Sequence, residues 1–193
     1  KVAVLYTSLT LPSGANKLST ALALYDVTVY DVATYNTAAY MDNIAASGYD
    51  LIILHEAVKS DNLAALRLAN YIGQTPILNN KSHMYGKAGW PTGQGNNGTT
   101  ANTSVTVQEL YVTHPIFTGV SITNNVVAMA GSTGIVRWAS NSTTTGNLIT
   151  ADLSVIANNS TNTSGNISIL EDNRAGGTKK YMLIALAAAN EDL

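Results

Sequence analysis

Cysteine is absent from the 193-residue chain, and charged residues are scarce. Without cysteine the protein has no thiolate nucleophile, no disulfide and no zinc–thiolate site. Charged side chains make up 11% of the residues, whereas an average domain has about 25%. The formal net charge is −2, and Lys and Arg form no cluster. Because phosphate backbones require a concentrated basic face, this composition excludes nucleic acid as a partner.

Long apolar runs and the familiar cofactor motifs are missing as well. No run of about 18 apolar residues is present, so the sequence predicts no membrane span. Three histidines without close pairing do not make a metal motif, and we expect neither a metal nor a cofactor. Gly93, Gly95 and Gly98 match the dinucleotide-binding spacing. They follow no predicted strand and open no predicted helix, so that interpretation is rejected.

The residues that are present predict a globular domain with a neutral polar surface. Hydrophobic residues make up 46% of the chain, enough for a substantial core. With so few charges, the surface must be supplied mainly by Asn, Thr, Ser, Gly and Tyr. A surface of this kind favours an extracellular or cell-envelope location.

Strand and helix signals alternate through the first half of the chain. Short apolar runs at 2–6, 26–30, 50–54 and 76–78 predict buried strands. Apolar residues at helical spacing between these runs predict covering helices. Such alternation is typical of βαβ units and a parallel sheet. The sequence therefore predicts an α/β fold with a doubly wound, mostly parallel, flavodoxin-like sheet.

The second half of the chain has a different pattern. Residues 86–104 are rich in turn-forming residues and predict a long ordered loop. Strand signals follow between 105 and 186, separated by segments rich in Asn, Ser, Thr and Gly. We expect a β-rich extension of the parallel core. We also expect residues 1–193 to form one domain of a longer protein.

Ligands of open α/β sheets bind beyond the carboxyl ends of the strands, and this rule predicts the candidate site. The candidate ligand-binding residues come from the loops after the first, third and fourth predicted strands and from one tryptophan of the long loop. They are Thr7, Ser8, His55, Glu56, Asn80, Lys81, Ser82, His83 and Trp90. Catalysis by these loops would depend on Glu56, Lys81 and His83. The alternative is that Glu56 caps a backbone amide and that His83 only fixes its loop.

Two features of the histidines shape this hypothesis. His55 and Glu56 are adjacent, so on an extended chain they point in opposite directions and do not form one acid–base pair. His114 precedes Pro115, which favours an extended backbone. We expect its side chain to fix the surrounding loop.

Several segments resemble the class I glutamine amidotransferase-like superfamily, and its ThuA-like branch in particular. They are KVAVLYT at the start, DLIILHE and PILNNKSHMY in the core, and HPIFTG from His114. The resemblance implies a flavodoxin-like fold and places Lys81 at about the position of the nucleophilic cysteine. Because the chain has no cysteine, amidotransferase or peptidase chemistry of that type is excluded.

The resulting hypothesis is a non-catalytic domain of a secreted or surface multidomain protein. It would act in ligand binding or assembly, with carbohydrate or neighbouring domains as partners. Two alternatives stay open: a carbohydrate-active enzyme of ThuA-like type that uses the strand-end crevice, and a structural module of an envelope layer or adhesin. Trp90, Trp138 and the ten tyrosines are candidates for stacking on sugar rings.

Overall fold

A computed structural model of the chain describes nine segments. They are residues 1–11, 18–59, 68–81, 97–98, 103–129, 136–140, 153–160, 166–172 and 181–186. The candidate residues Ser82, His83 and Trp90 lie outside these segments, as does most of the predicted loop at 86–104.

Four parallel strands form the N-terminal half of the sheet. They are β1 (Val2–Tyr6), β2 (Val27–Asp31), β3 (Leu51–Leu54) and β4 (Ile77–Lys81). β1 pairs with both β2 and β3, and β3 pairs with β4. All five residues of β1 are buried, as expected for a strand covered on both faces. The carboxyl ends of these four strands therefore lie at one edge of the sheet.

Seven further strands complete the described sheet. They are β5 (Asn97–Gly98), β6 (Ser104–Val107), β7 (Val126–Ala128), β8 (Trp138–Ser140), β9 (Leu153–Asn159), β10 (Asn166–Asp172) and β11 (Tyr181–Leu186). The strand order is β2-β1-β3-β4-β11-β10-β9-β6-β7, and β8 pairs with both β10 and β5. β11 is parallel to β4 and antiparallel to β10, so it joins the two halves of the sheet.

The prediction of a doubly wound, mostly parallel, flavodoxin-like fold is wrong. The structure is a mixed sheet with few helices. In its described part, four strand pairings are parallel and six are antiparallel. The physical reason is that the C-terminal strands add directly to the sheet through main-chain pairing, so that strands rather than crossover helices make up most of the structure.

Helical structure in the described segments is short. It comprises α1 (Leu18–Ala21), α2 (Ala38–Ala46) and 3-10 turns at Leu68–Tyr71, Glu109–Tyr111 and Pro115–Phe117. The Thr37 side chain caps α2 by accepting a hydrogen bond from the Tyr40 backbone N–H. Gly48 follows α2 with φ of +69°, a left-handed conformation that glycine adopts without strain.

Among the residues that the structure describes, three apolar clusters hold the sheet. The largest lies under α2 and includes Met41, Ile44, Ile52 and Tyr181. A smaller one packs Leu22, next to α1, on Val4 and Ile53. The third covers the antiparallel half, where Phe117 and Val136 pack with residues of β6, β7, β9 and β10. Both halves of the sheet therefore have their own apolar cover.

Candidate functional site

The carboxyl ends of β1 to β4 define what we call the strand-end edge. Here the loops after β1, β2 and β3 and the last residue of β4 lie beside one another. The Val32 N–H donates to the Tyr6 carbonyl at 2.9 Å, and the His55 N–H donates to the Leu5 carbonyl at 3.1 Å. These bonds fasten the loops to the neighbouring strand.

Glu56 and Lys81 meet at this edge. The Lys81 ammonium donates to the Glu56 carbonyl oxygen at 2.6 Å and lies 3.6 Å from the carboxylate Oε1. The two side chains retain only 14% and 6% of their exposure. Burial of both charges requires that they compensate each other, so this pair is a local structural clamp between the loop after β3 and the end of β4.

His55 takes a different set of partners from Glu56. Its ring contacts Tyr6 edge-on, with centroids 4.6 Å apart, and its Nδ1 accepts a hydrogen bond from the Ala57 N–H at 3.1 Å. In the neutral imidazole, Nε2 therefore carries the proton. Because Nδ1 accepts the hydrogen bond from the Ala57 N–H, it does not accept a proton from Glu56 or Lys81.

The remaining predicted residues of this edge are polar and lie nearer the solvent. The Ser8 hydroxyl donates to the Thr10 carbonyl at 2.9 Å and accepts from the Thr10 N–H at 3.1 Å, which closes a local turn. Thr7 and Asn80 are half-buried. The structure thus brings Thr7, Ser8, His55, Glu56, Asn80 and Lys81 to one edge of the sheet.

The loop after β2 was not predicted from the sequence to belong to this edge. Asp31 ends β2, and its carboxylate accepts hydrogen bonds from the Thr34 hydroxyl at 2.7 Å and from the backbone N–H groups of Ala33 and Thr34 at 2.9 and 3.3 Å. The Thr34 hydroxyl bond, with smaller backbone contributions, lowers the pKa of Asp31. The sequence signal was available, because Asp31 directly follows the apolar run of β2.

Four tyrosines, Tyr30, Tyr35, Tyr40 and Tyr49, form what we call the tyrosine cluster. The Tyr40 ring lies edge-on to Tyr30, with centroids 5.8 Å apart, and is tilted by 34° against Tyr35 at 5.3 Å. The hydroxyl oxygens of Tyr30 and Tyr49 are 2.8 Å apart. Tyr35 is the outermost ring, with 52% of its surface exposed.

Burial and neighbouring charge perturb this cluster. Burial, followed by the hydrogen bond with Tyr49, raises the pKa of Tyr30 to about 12. Burial also raises the pKa of Tyr40, with further contributions from the Asp31 carboxylate and from Tyr35. Tyr30 and Tyr40 therefore stay neutral at physiological pH, and the Asp31 carboxylate lies close enough to Tyr40 to raise its pKa.

A second polar pair lies in the antiparallel half of the sheet. The His114 Nε2 is 3.2 Å from Oε2 of Glu171, and its Nδ1 accepts a hydrogen bond from the Ile116 N–H at 3.3 Å. His114 thus caps the 3-10 turn at Pro115–Phe117 and ties it to β10. Glu171 was not singled out from the sequence, because it lies inside an apolar strand.

Two further features bear on the chemistry. Within the part of the chain that the structure describes, no three His, Asp or Glu side chains come together as metal ligands. In the same segments no helix has the length and apolarity needed to cross a bilayer.

No protein-family model matches the chain, and no curated protein matches it in sequence.

Proposed function

We propose that this protein is a non-catalytic binding domain whose strand-end edge contacts neutral carbohydrate. The Glu56–Lys81 pair carries this proposal. A nucleophile, acid or base must be able to reach a substrate, whereas these two buried groups are held against each other by a 2.6 Å hydrogen bond and a 3.6 Å charge contact. Their arrangement supports a role in holding the edge together.

The groups left at the edge favour a neutral ligand. Ser8 and Tyr35 are exposed and Thr7 is half-buried, so the accessible chemistry is that of hydroxyls and aromatic rings. Hydroxyl groups exchange hydrogen bonds with sugar hydroxyls, and a rigid aromatic ring adds contact area at little entropic cost. The described residues of the loops after β1 and β2 carry no Lys or Arg. Lys81 is held by Glu56, so the exposed Lys59 of the loop after β3 is left as a weak basis for binding phosphorylated or acidic ligands.

The proposal is tested by measuring binding and turnover on the same samples. Wild-type protein is titrated calorimetrically with neutral oligosaccharides of four to six sugars, and the same mixtures are analysed chromatographically for products. We expect binding to at least one oligosaccharide without product. Glu56→Gln is measured in parallel, because an enzyme that uses this carboxylate would form product as wild type and lose it in the variant.

Each result has a definite consequence. Product formed by wild type would establish a carbohydrate-active enzyme and overturn the proposal. Loss of that product in a Glu56→Gln protein that is shown to be folded would assign the activity to this carboxylate. Absence of binding across a panel of glucose-, mannose-, xylose- and N-acetylglucosamine-based oligosaccharides would remove carbohydrate as the ligand.

A further inference from the structure

We propose that Tyr35 and the Asp31–Tyr35 loop form the sugar-contacting surface of this domain. This inference rests on the proposed function and names the place where the saccharide binds. It differs from the site predicted from the sequence, which used the loops after β1, β3 and β4 but not the loop after β2.

The position of the loop is the first argument. β2 is parallel to β1, so its carboxyl end lies at the strand-end edge, where ligands of parallel sheets bind. The Val32 N–H donates to the Tyr6 carbonyl at 2.9 Å, and this places the loop directly beside the one that carries Thr7 and Ser8. The loop that carries Tyr35 thus begins beside the loop whose polar groups were predicted to bind ligand.

The support beneath Tyr35 is the second argument. Tyr40 lies 5.3 Å away at a tilt of 34°, and Tyr40 in turn contacts Tyr30. Tyr30, Tyr40 and Tyr49 pack on the largest core cluster, while Tyr35 is 52% exposed. An exposed ring that is backed by half-buried rings is held in place before a ligand arrives, and such preorganisation lowers the cost of binding.

The polar groups around the ring are the third argument. Three hydrogen bonds to Asp31 fix the loop, and the Tyr35 N–H adds a fourth by donating to the Asp31 carbonyl at 3.1 Å. A carboxylate has about four lone-pair sites, so Asp31 retains capacity to accept from a sugar hydroxyl. An exposed aromatic ring on a loop that also carries an acceptor matches a sugar, which presents C–H groups on its face and hydroxyls on its rim.

The geometry favours a saccharide over a cation. A caged ammonium group requires a gap between ring faces, whereas the rings of this cluster contact one another at centroid distances of 5.3 to 6.0 Å. Tyr35 keeps 52% of its surface exposed, and this surface is available to a ligand. An uncharged sugar ring stacks on an exposed aromatic ring, and its binding through C–H contacts and hydrogen bonds is insensitive to salt.

The test compares two exposed tyrosines at opposite ends of the same strand. Tyr35 follows β2, whereas Tyr25, which is 61% exposed, precedes it. We expect Tyr35→Ala to weaken wild-type saccharide binding at least about fivefold. Tyr25→Ala should leave it unchanged, and Tyr35→Phe should retain most of it because the ring is preserved. Thermal unfolding of each variant checks that the fold is intact.

A measurement on wild-type protein keeps the inference testable if a variant fails to fold. With the tyrosine rings isotopically labelled, saccharide addition should shift the NMR signals of Tyr35 and Tyr40 and leave those of Tyr25 in place. Binding that survives Tyr35→Ala, or shifts confined to other tyrosines, would overturn this site while leaving the proposed function standing. Absence of any binding by wild type would instead overturn the proposed function and this inference together. Binding abolished by 0.5 M salt would show that charge drives the interaction, and would overturn the inference that a neutral saccharide is the ligand.

Discussion

The amide nitrogen of Asn79 donates a hydrogen bond to the hydroxyl oxygen of Tyr181 at 2.6 Å, across 102 positions of sequence. Both residues are completely buried. The Asn79 side-chain oxygen also accepts from the Lys81 N–H at 2.7 Å. This single amide therefore joins β4 to β11 and shapes the end of β4, where Lys81 meets Glu56.

Removal of the Tyr181 hydroxyl should destabilise the protein measurably. Tyr181→Phe leaves the buried Asn79 amide without its acceptor, and we expect a loss of about 1–3 kcal/mol in the free energy of unfolding. Urea denaturation measures this loss. Tyr25→Phe is the matched control, because the exposed Tyr25 should change stability by less than about 0.5 kcal/mol. A Tyr181→Phe protein as stable as wild type would contradict the structural role of this bond.

The Glu56–Lys81 pair predicts strong coupling between two substitutions. Glu56→Gln or Lys81→Met alone leaves a buried charge uncompensated, and each should destabilise the fold by about 3 kcal/mol. The double variant should be less destabilised than the sum of the single variants, by at least about 1 kcal/mol. Denaturation of all four proteins measures this coupling, with Lys59→Met, an exposed position, as the control. If the losses in the free energy of unfolding were additive, Glu56 and Lys81 would not stabilise each other.

The tyrosine cluster predicts a loss of stability at alkaline pH. The pKa of Tyr30 is raised from its ordinary value of 10.0 to about 12 in the folded protein. Between these values the folded state holds a proton that the unfolded state releases, so Tyr30 contributes stability below pH 10 that is lost as the pH rises toward 12. Denaturation at several pH values should show this decline, and Tyr30→Phe should reduce it.

An ultraviolet titration distinguishes the cause of that decline. We expect one of the ten tyrosines to ionise at about pH 12 in wild type. Tyr49→Phe removes the hydroxyl that bonds to Tyr30, so this high-pH step should move to lower pH. An unchanged step would assign the raised pKa of Tyr30 to burial and to Tyr40 rather than to Tyr49.

In the parallel half, β1 and β3 could be predicted because their residues are apolar without interruption. Val2–Tyr6 and residues 52–54 are buried, and such runs are visible in a sequence. The strand order of the second half could not be predicted. β11 enters the sheet between β4 and β10, and this placement depends on pairings such as Tyr181 with Ile77 that no local pattern encodes.

For the candidate site, the sequence predicted some of the residues but not how they contact one another. Glu56 and Lys81 were found because they follow buried strands, and the rule about strand ends identifies such residues directly. Their mutual contact was not predicted, since it depends on the conformation of the loop after β3. Tyr35 was included among the ten tyrosines that could stack on sugars but was not singled out, because an aromatic residue is more often part of a core. Its 52% exposure is a property of the folded loop.

His114 performs two separable functions in the structure. Its Nδ1 caps a 3-10 turn through the Ile116 N–H, and its Nε2 contacts Glu171. The Oδ1 atom of an asparagine can take the place of Nδ1, but asparagine is too short to reach Glu171. His114→Asn should therefore keep the cap and lose the contact with β10, whereas His114→Ala loses both.

We expect His114→Ala to be less stable than His114→Asn by about 1 kcal/mol, the usual contribution of a side-chain cap. Both variants should be less stable than wild type, because Glu171 is buried and loses a hydrogen-bond partner. Urea denaturation near neutral pH measures both differences. If His114→Asn and His114→Ala were equally stable, the cap would contribute nothing. If His114→Asn matched wild type, the contact with Glu171 would contribute nothing, and β10 would be held to this turn by apolar packing alone.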